Sequence, residues 1–159
     1  MPRPTPLHPP VRRPAGDDWL ALDRQLCFAL YSSSLAMTKL YKPLLDPLGL
    51  TYPQYLVMLV LWEGDGLTVS ALGERLSLDS GTLTPLLKRL EAAGLLRRAR
   101  DRADERRVQV QLTRAGRALK ARAVRIPPQV VCATACDLDE INALTARLQT
   151  LRDRLRTAA

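Results

Sequence analysis

The chain has 159 residues, of which 47% are hydrophobic and 25% are charged, which is the composition of a globular protein with one buried core. Its longest apolar run, YLVMLVLW at 55–62, is shorter than the roughly 20 residues of a membrane span. Three cysteines are too few for a secreted disulfide framework, and a single histidine argues against zinc. We therefore expect no metal, no cofactor, no membrane association and a cytoplasmic location.

The net charge of +8 is concentrated in one part of the chain. Residues 88–125 contain 13 Lys and Arg against 4 Asp and Glu, a balance of +9, whereas the remainder contains 11 against 12, a balance of −1. Such a basic block indicates a polyanion as partner, although a solvated helix face has the same composition. All aromatic residues lie between Trp19 and Trp62, so the block has none for stacking unpaired bases. Double-stranded DNA is the predicted partner.

The N-terminal sequence MPRPTPLHPPVRRPAGDD is proline-rich and basic and has no apolar segment of the signal-peptide kind. We expect residues 1–16 to be a disordered arm and the rest, 17–159, to be one domain. Apolar residues at helical spacing predict a long first helix from Asp17 to about Tyr41, which the prolines that follow, Pro43 and Pro47, end or kink.

The next predicted helix has Thr51 as its N-cap and ends near Gly64. The segment 68–96 then predicts two helices joined by a tight turn, the arrangement of a helix-turn-helix. Asp79 is the predicted cap of the second helix, and Gly94 occupies the glycine position that follows many helices.

In RVQVQLT, which follows the charged segment DRADER, apolar and polar residues alternate and predict a two-stranded hairpin with a charged tip. Thr113 then caps a helix that breaks at Pro127-Pro128, and a last helix opens at Asp137. This helix carries a leucine stripe: Leu144, Leu148, Leu151 and Leu155. The predicted fold is mainly α with a small β-hairpin wing. A winged helix-turn-helix at 51–113 is flanked by dimerisation helices at 17–50 and 114–159.

Residues suited to DNA lie in two places. The helix expected in the major groove begins with small or hydroxyl residues that permit close approach to bases: Ser80, Gly81, Thr82 and Thr84. Lys88 and Arg89 follow and suit phosphates, while the wing tip offers three arginines to the minor groove: Arg102, Arg106 and Arg107. An ordinary capped helical hairpin would also explain the first group, but the basic wing favours DNA binding.

The segment DRQLCFALYSS at 23–33 places Cys27 on one helical face with Arg24 and Tyr31. A cysteine on an apolar helical face is ordinarily an inert part of the core, and this segment alone leaves that interpretation open.

The segment LTVSALGERLSLDSGTLTPLLKRLEAAGLLRRARDRADERRVQVQLTRAG at 67–116 resembles the winged-helix core of the MarR family. Within it, LDSGTLTPLLKRLE and DERRV resemble the organic-hydroperoxide-sensing branch, the OhrR repressors, and the resemblance extends from about Leu20 to Leu155. It implies a homodimeric repressor, not an enzyme, that binds a palindromic operator while reduced. It also implies that Cys27 is the peroxide sensor and that Tyr41 and Tyr52, contributed by the partner subunit, support its thiolate, with Tyr31 and Arg24 nearby.

The resemblance further implies that an organic hydroperoxide oxidises Cys27, that an inter-subunit disulfide to Cys132 follows, and that DNA is released. The negative charge of Asp137 makes the neighbouring Cys136 the poorer partner. Two rival functions remain open. One is a MarR-like regulator that binds a small aromatic ligand non-covalently in a pocket lined by the tyrosines. The other is a thiol peroxidase, for which the chain lacks a C-x-x-C motif.

Overall fold

The computed structural model describes residues 20–100, 104 and 107–158. The elements in chain order are α1 (Leu26–Leu45), α2 (Tyr52–Glu63), β1 (Leu67–Thr68), α3 (Val69–Leu76), α4 (Ser80–Ala92), β2 (Leu96–Arg100), β3 (Val108–Leu112), α5 (Arg114–Ala123), α6 (Ile126–Thr134) and α7 (Leu138–Ala158). This order agrees with the predicted fold class. The predicted arm and the wing residues Arg102 and Arg106 lie outside the described residues.

Contacts group the chain into two units, residues 1–39 and 40–159, and the boundary lies inside α1. In the described part of the first unit, a 3-10 turn precedes α1. Five of its large apolar side chains are exposed: Leu20, Leu22, Leu26, Tyr31 and Leu35. Covering such an apolar face with another surface would stabilise the helix that carries it.

The ends of α1 refine the sequence-based prediction. The predicted start near Asp17 lies outside the described residues, within which α1 begins at Leu26. Pro43 does not end the helix but lies inside its last turn. A proline removes one backbone hydrogen bond, and the helix tolerates this loss because it ends shortly afterwards, at Leu45. Pro47 lies in the 3-10 turn that follows.

Helix α2 begins at the predicted capping box. The N–H of Gln54 donates to Thr51 Oγ1 at 3.4 Å, and the N–H of Thr51 donates to Gln54 Oε1 at 2.9 Å. The helix is the centre of the core of the second unit, since most of its apolar side chains are buried, including Tyr55, Val57 and Met58. Among the described residues no single helix has the length and apolar composition of a membrane span, although α2 and the preceding helical segment reach them as a bent pair.

The helix-turn-helix forms as predicted, with Thr68 capping α3 and Asp79 capping α4. The turn between the helices depends on Gly73, because a Cβ there would lie 2.7 Å from the carbonyl oxygen of Leu78. Pro85 lies inside α4, near its beginning, and the helix continues past it to Ala92.

The predicted hairpin is present as β2 and β3, and β1 extends it to a three-stranded antiparallel sheet in the order β1-β3-β2. Leu96 pairs with Leu112 across β2 and β3, and Leu67 of β1 pairs with Val110. Strand β1 has two residues, which is too few to show a period-two pattern in the sequence. The alternation predicted for β3 is present, since Val110 and Leu112 are buried.

The region after the wing contains one more helix than predicted. Pro127 and Pro128 do not break a helix; they lie in the first turn of α6, and the chain turns before them, at Val124 and Arg125. The reason is that N–H groups in a first turn have no helical partner, so prolines fit there at little cost. Helix α7 is capped as predicted, because Asp137 accepts a hydrogen bond from Glu140 N at 2.8 Å. Three leucines of its stripe are exposed: Leu144, Leu148 and Leu155.

Gly116, in the first turn of α5, lies where α5 meets α2 and the residue that precedes β2. Its N–H donates to Thr113 Oγ1 at 3.0 Å, and its carbonyl accepts a hydrogen bond from Trp62 Nε1 of α2 at 2.9 Å. A Cβ at this position would overlap the carbonyl oxygen of Leu95, which precedes β2. The close approach of α5 to the sheet therefore requires glycine.

Replacement of Gly116 by alanine should lower the free energy of unfolding by about 1–3 kcal/mol, because α5 must move away from the carbonyl of Leu95. Gly64→Ala is the matched control, since Gly64 has a φ of −154° and no heavy atom within 4 Å of the added Cβ. Urea unfolding at a fixed protein concentration measures both. Equal urea midpoints for the two variants would contradict the close packing of Gly116 against the carbonyl oxygen of Leu95.

Candidate functional site

The first turn of α4 presents small polar residues to solvent. Ser80, Gly81 and Thr82 are exposed, and Thr84 is half-buried. The N-cap carboxylate of Asp79 accepts hydrogen bonds from Thr82 N at 2.8 Å and from the Thr82 hydroxyl at 3.0 Å. These hydrogen bonds, the backbone one foremost, hold the pKa of Asp79 below its usual range. Because the hydroxyl of Thr82 already serves the cap, Ser80 and Gly81 are the least constrained residues of this turn.

The outer face of α4 is basic further along the helix. Lys88 and Arg89 are exposed, whereas Leu83, Leu87 and Leu90 are buried. A helix with this pattern packs through its leucines and leaves its cations in water, where they are available to an anionic partner.

Two adjacent arginines of β2 have different surroundings. Arg97 is exposed and donates to Gln111 Oε1 from Nε at 3.2 Å and from Nη2 at 2.8 Å. Arg98 donates to Glu91 Oε2 from Nε at 3.0 Å and from Nη2 at 2.7 Å, and its backbone N–H donates to Glu91 Oε1 at 2.8 Å. The side-chain hydrogen bonds from Arg98 are the main reason that the pKa of Glu91 is lowered. Arg107, the residue directly before β3, is exposed.

All three cysteines are free thiols. Cys27 is exposed in the first turn of α1, and its sulfur lies 4.0 Å from Gln25 Oε1. Tyr31 follows one turn later and is 62% exposed, so it fits the predicted helical face. Arg24 lies before α1, in the 3-10 turn, so the helical spacing used to group it with Cys27 does not extend to it.

The other two thiols differ in their exposure. Cys132 is exposed on α6. Cys136 is half-buried after the end of that helix, and its Sγ donates to the carbonyl oxygen of Thr134 at 3.4 Å. Cys132 is therefore the more accessible of the two.

Tyr41 and Tyr52 lie together, with ring centroids 4.7 Å apart. The sequence analysis missed a third member, Tyr55, whose ring centroid lies 5.7 Å from that of Tyr41. Its spacing from Tyr52 in α2 is the signal that could have found it, since residues three apart share a helix face. Burial, with the neighbouring phenols second, raises the pKa of Tyr41 to about 12, and burial also raises the pKa of Tyr52 and Tyr55.

A cavity of about 450 Å³ opens between α2 and the α5–α6 region. It is lined mainly by apolar and aromatic side chains, among them Tyr55, Leu59, Trp62 and Val124. Glu63 and Lys120 supply the charged groups of its lining, and Lys120 Nζ donates to the carbonyl oxygen of Trp62 at 3.0 Å.

A family model described as transcriptional regulator SarA/Rot matches residues 39–123, the part of the chain that contains the winged helix. The chain belongs to the MarR-like family of winged-helix transcriptional regulators. It is 51% identical over 138 residues to the organic hydroperoxide resistance transcriptional regulator of Bacillus subtilis, a match that covers 87% of this chain and 94% of the relative. This match confirms the resemblance to the OhrR branch.

Two further proteins are similar to this chain. The HTH-type transcriptional regulator TtmR of Methylorubrum extorquens is 54% identical over 143 residues, which are 90% of this chain and 73% of the relative. The structure of reduced AbfR bound to DNA has a TM-score of 0.72 and 34% identity, with 87% of this chain and 96% of that chain covered. AbfR comes from Staphylococcus epidermidis. A structure of disulfide-formed AbfR matches with a TM-score of 0.57 and the same identity, covering 85% of this chain and 95% of that one.

As a MarR-family regulator the chain binds DNA, and Lys88 should contribute through charge alone. Lys88→Ala should weaken binding to any duplex and lower the magnitude of the slope of log affinity against log salt by about one unit for each DNA-bound subunit. Lys39→Ala removes the same charge from an exposed position of α1 and should leave the slope unchanged. Fluorescence anisotropy from 50 to 200 mM salt, roughly the range over which such slopes are resolved, measures both. Identical slopes for the two variants would contradict the placement of Lys88 of α4 at the DNA interface.

Proposed function

We propose that this regulator is a homodimeric repressor that binds a palindromic operator while Cys27 is reduced and leaves it when an organic hydroperoxide has oxidised Cys27. The observation that carries the proposal is the exposed sulfur of Cys27 at the start of α1, in a chain 51% identical to a regulator of organic hydroperoxide resistance. A core cysteine would be buried, and this one is open to a dissolved peroxide.

The chemistry requires only the thiol and the peroxide in its first step. The thiolate of Cys27 attacks one oxygen of the peroxide bond, the bond breaks, and the products are a sulfenic acid and an alcohol once the leaving oxygen has taken a proton. The thiol of Cys132 from the second subunit then attacks the sulfenic sulfur. A disulfide forms, and the hydroxyl leaves as water.

Tyr41 and Tyr52 serve as hydrogen-bond donors to the Cys27 thiolate in this proposal. A phenol with its ordinary pKa of about 10 keeps its proton at physiological pH and can donate, and burial raises the pKa of Tyr41 and Tyr52 further. The resemblance to the OhrR branch implies that the phenols that serve a given thiol come from the other subunit.

The exposed apolar faces of α1 and α7 support a homodimer. Leu22, in the 3-10 turn before α1, and Leu26 of α1 are each 58% exposed, and the α7 leucines Leu144 and Leu155 are 54% and 56% exposed. Each apolar side chain removed from water contributes on the order of 1.5–3 kcal/mol when it becomes fully buried, so pairing of these faces would be strongly favoured.

DNA recognition in the proposed complex uses the start of α4 in the major groove and the wing in the minor groove. Ser80, Gly81 and Thr84 would approach base edges, with Thr82 held by its cap, while Lys88 and Arg89 would meet phosphates. From the wing, Arg107 and the arginines beyond the described residues, Arg102 and Arg106, would reach the minor groove.

The first test of this function is Cys27→Ser. The variant should bind the operator as the parent does and should stay bound after peroxide is added, because a hydroxyl is not oxidised. Operator binding before and after one equivalent of cumene hydroperoxide measures this. Cys136→Ser is the matched control and should release DNA normally. A Cys27→Ser protein that still releases DNA would contradict the assignment of the sensor.

The second test concerns the disulfide. Peroxide-treated parent protein should run as a covalent dimer on a non-reducing gel, and either Cys27→Ser or Cys132→Ser should abolish the dimer band, which dithiothreitol should also reverse. Cys136→Ser should keep the band, since its sulfur is half-buried and bonded to Thr134. Loss of the band in Cys136→Ser but not in Cys132→Ser would reverse the choice of partner. DNA release without any covalent dimer would end the inter-subunit mechanism.

A second candidate function rests on the cavity between α2 and α5. Its aromatic lining and the ammonium of Lys120 suit a small aromatic acid bound without covalent chemistry. The peroxide titration separates this function from the proposed one. Consumption of one equivalent per thiol site with DNA release favours the sensor, no reaction favours the ligand-binding regulator, and repeated turnover would indicate a thiol peroxidase.

A further inference from the structure

A groove of about 330 Å³ lies between the helix-turn-helix and the wing. Three hydroxyl residues line it, Thr68 and Ser70 at the start of α3 and Thr84 in α4. Arg98 and Arg107 line it from the wing, and the remaining lining residues are apolar. Among the described residues that line the groove, none carries a carboxylate. The polar side chains of this lining are the two arginines, which are permanently charged, and the three hydroxyl residues.

We propose that this groove binds a phosphodiester group of the DNA backbone, with the guanidinium group of Arg98 pairing with the phosphate oxygens and the hydroxyl of Ser70 donating to them. The proposal rests on the proposed function in one respect: α4 lies in the major groove and the wing lies in the adjacent minor groove.

The shape of duplex DNA explains why a backbone phosphate would lie in this groove. A sugar–phosphate backbone separates each major groove from the neighbouring minor groove. A protein that inserts one element into each groove must therefore let a backbone pass between the two elements. Here the space between α4 and the wing is the groove that contains Arg98. A phosphodiester offers a negative charge and hydrogen-bond acceptors, which complement arginines and hydroxyls.

Glu91 is the positioning residue of this site. It does not line the groove, and it holds Arg98 from α4 through the hydrogen bonds to Nε and Nη2. A guanidinium is planar and has five N–H donors, so fixing one edge fixes the direction of the donors on Nη1. The Arg98 and Glu91 side chains are only 25% and 34% exposed, which limits the freedom of the pair.

The first measurement compares Arg98→Ala with Arg97→Ala. Both variants remove one arginine from β2, but Arg97 is bonded to Gln111 and does not line the groove. Arg98→Ala should weaken operator binding roughly tenfold or more and lower the salt slope by about one unit per subunit, since it removes a charge-assisted phosphate contact from each half-site. Arg97→Ala should change the affinity less than about threefold. Should Arg98→Ala fail to fold, Arg98→Lys replaces it, because it keeps the charge and loses the planar fork.

The second measurement identifies the phosphate. Operator duplexes that each carry one neutral methylphosphonate linkage are bound to the parent protein and to Arg98→Ala. At one or two adjacent positions of each half-site the neutral linkage should weaken the parent by severalfold and the variant by clearly less, because the variant already lacks the contact. Equal effects on both proteins at every position would overturn the proposal.

Glu91→Gln tests the positioning role by the sign of its effect. Removing a negative charge near DNA should strengthen binding if charge alone matters. If Glu91 orients Arg98, the variant binds more weakly instead, and unchanged or tighter binding would overturn this part of the proposal.

A parent protein that binds no duplex would refute the proposed function itself. A parent that binds normally, with Arg98→Ala binding as well as Arg97→Ala, would refute only the phosphate site.

Discussion

The carboxylate of Asp65 fixes the point at which the wing, α2 and α5 meet. One of its oxygens accepts a hydrogen bond from Leu112 N at 2.8 Å, and the other pairs with Arg117 at 3.0 Å. Arg117 in turn donates to the carbonyl oxygen of Leu112 at 2.9 Å. Since the end of β3 and the first turns of α5 share this carboxylate, the wing cannot rotate against α5 without breaking several bonds at once. Trp62 of α2 adds a hydrogen bond from its Nε1 to the carbonyl oxygen of Gly116 in α5.

This junction explains how a change at the dimer helices can reach DNA in the proposed mechanism. A ligand or a covalent bond shifts a conformational equilibrium only through a difference between its interactions with the two states. Rigid connection of α5 to the wing means that a displacement of α5 also displaces the DNA-binding surface. Lys120 extends the connection by a second turn of α5, because its ammonium donates to the carbonyl oxygen of Trp62 at 3.0 Å.

The sequence predicted those parts of the fold that depend on neighbours along the chain. The caps at Thr51 and Asp79 are local, since the cap and the N–H that it accepts lie within three residues, and both are present. What the sequence could not reveal depends on contacts between distant segments. Strand β1 exists because it pairs with β3, and the pairing of Glu91 with Arg98 appears only once β2 has folded back against α4. The accessibility of Cys27, likewise, is a property of the fold and not of its spacing.

Helix α6 follows a two-residue turn at Val124 and Arg125 and ends before Ala135, which has a φ of 54°. A left-handed conformation costs a residue with a Cβ roughly 1–2 kcal/mol, so the chain maintains this helix end against a local preference. Ile126 and Val130 of α6 are buried, whereas Cys132 is exposed on the same helix. A disulfide requires its two Cα atoms to lie within roughly 4.4–6.8 Å, so the proposed mechanism requires α6 to bring Cys132 within that range of Cys27 of the other subunit. Because α6 is packed through Ile126 and Val130 and joined to α5 by the short turn at Val124, a displacement of α6 in that mechanism would be passed to α5 and so to the junction at Asp65.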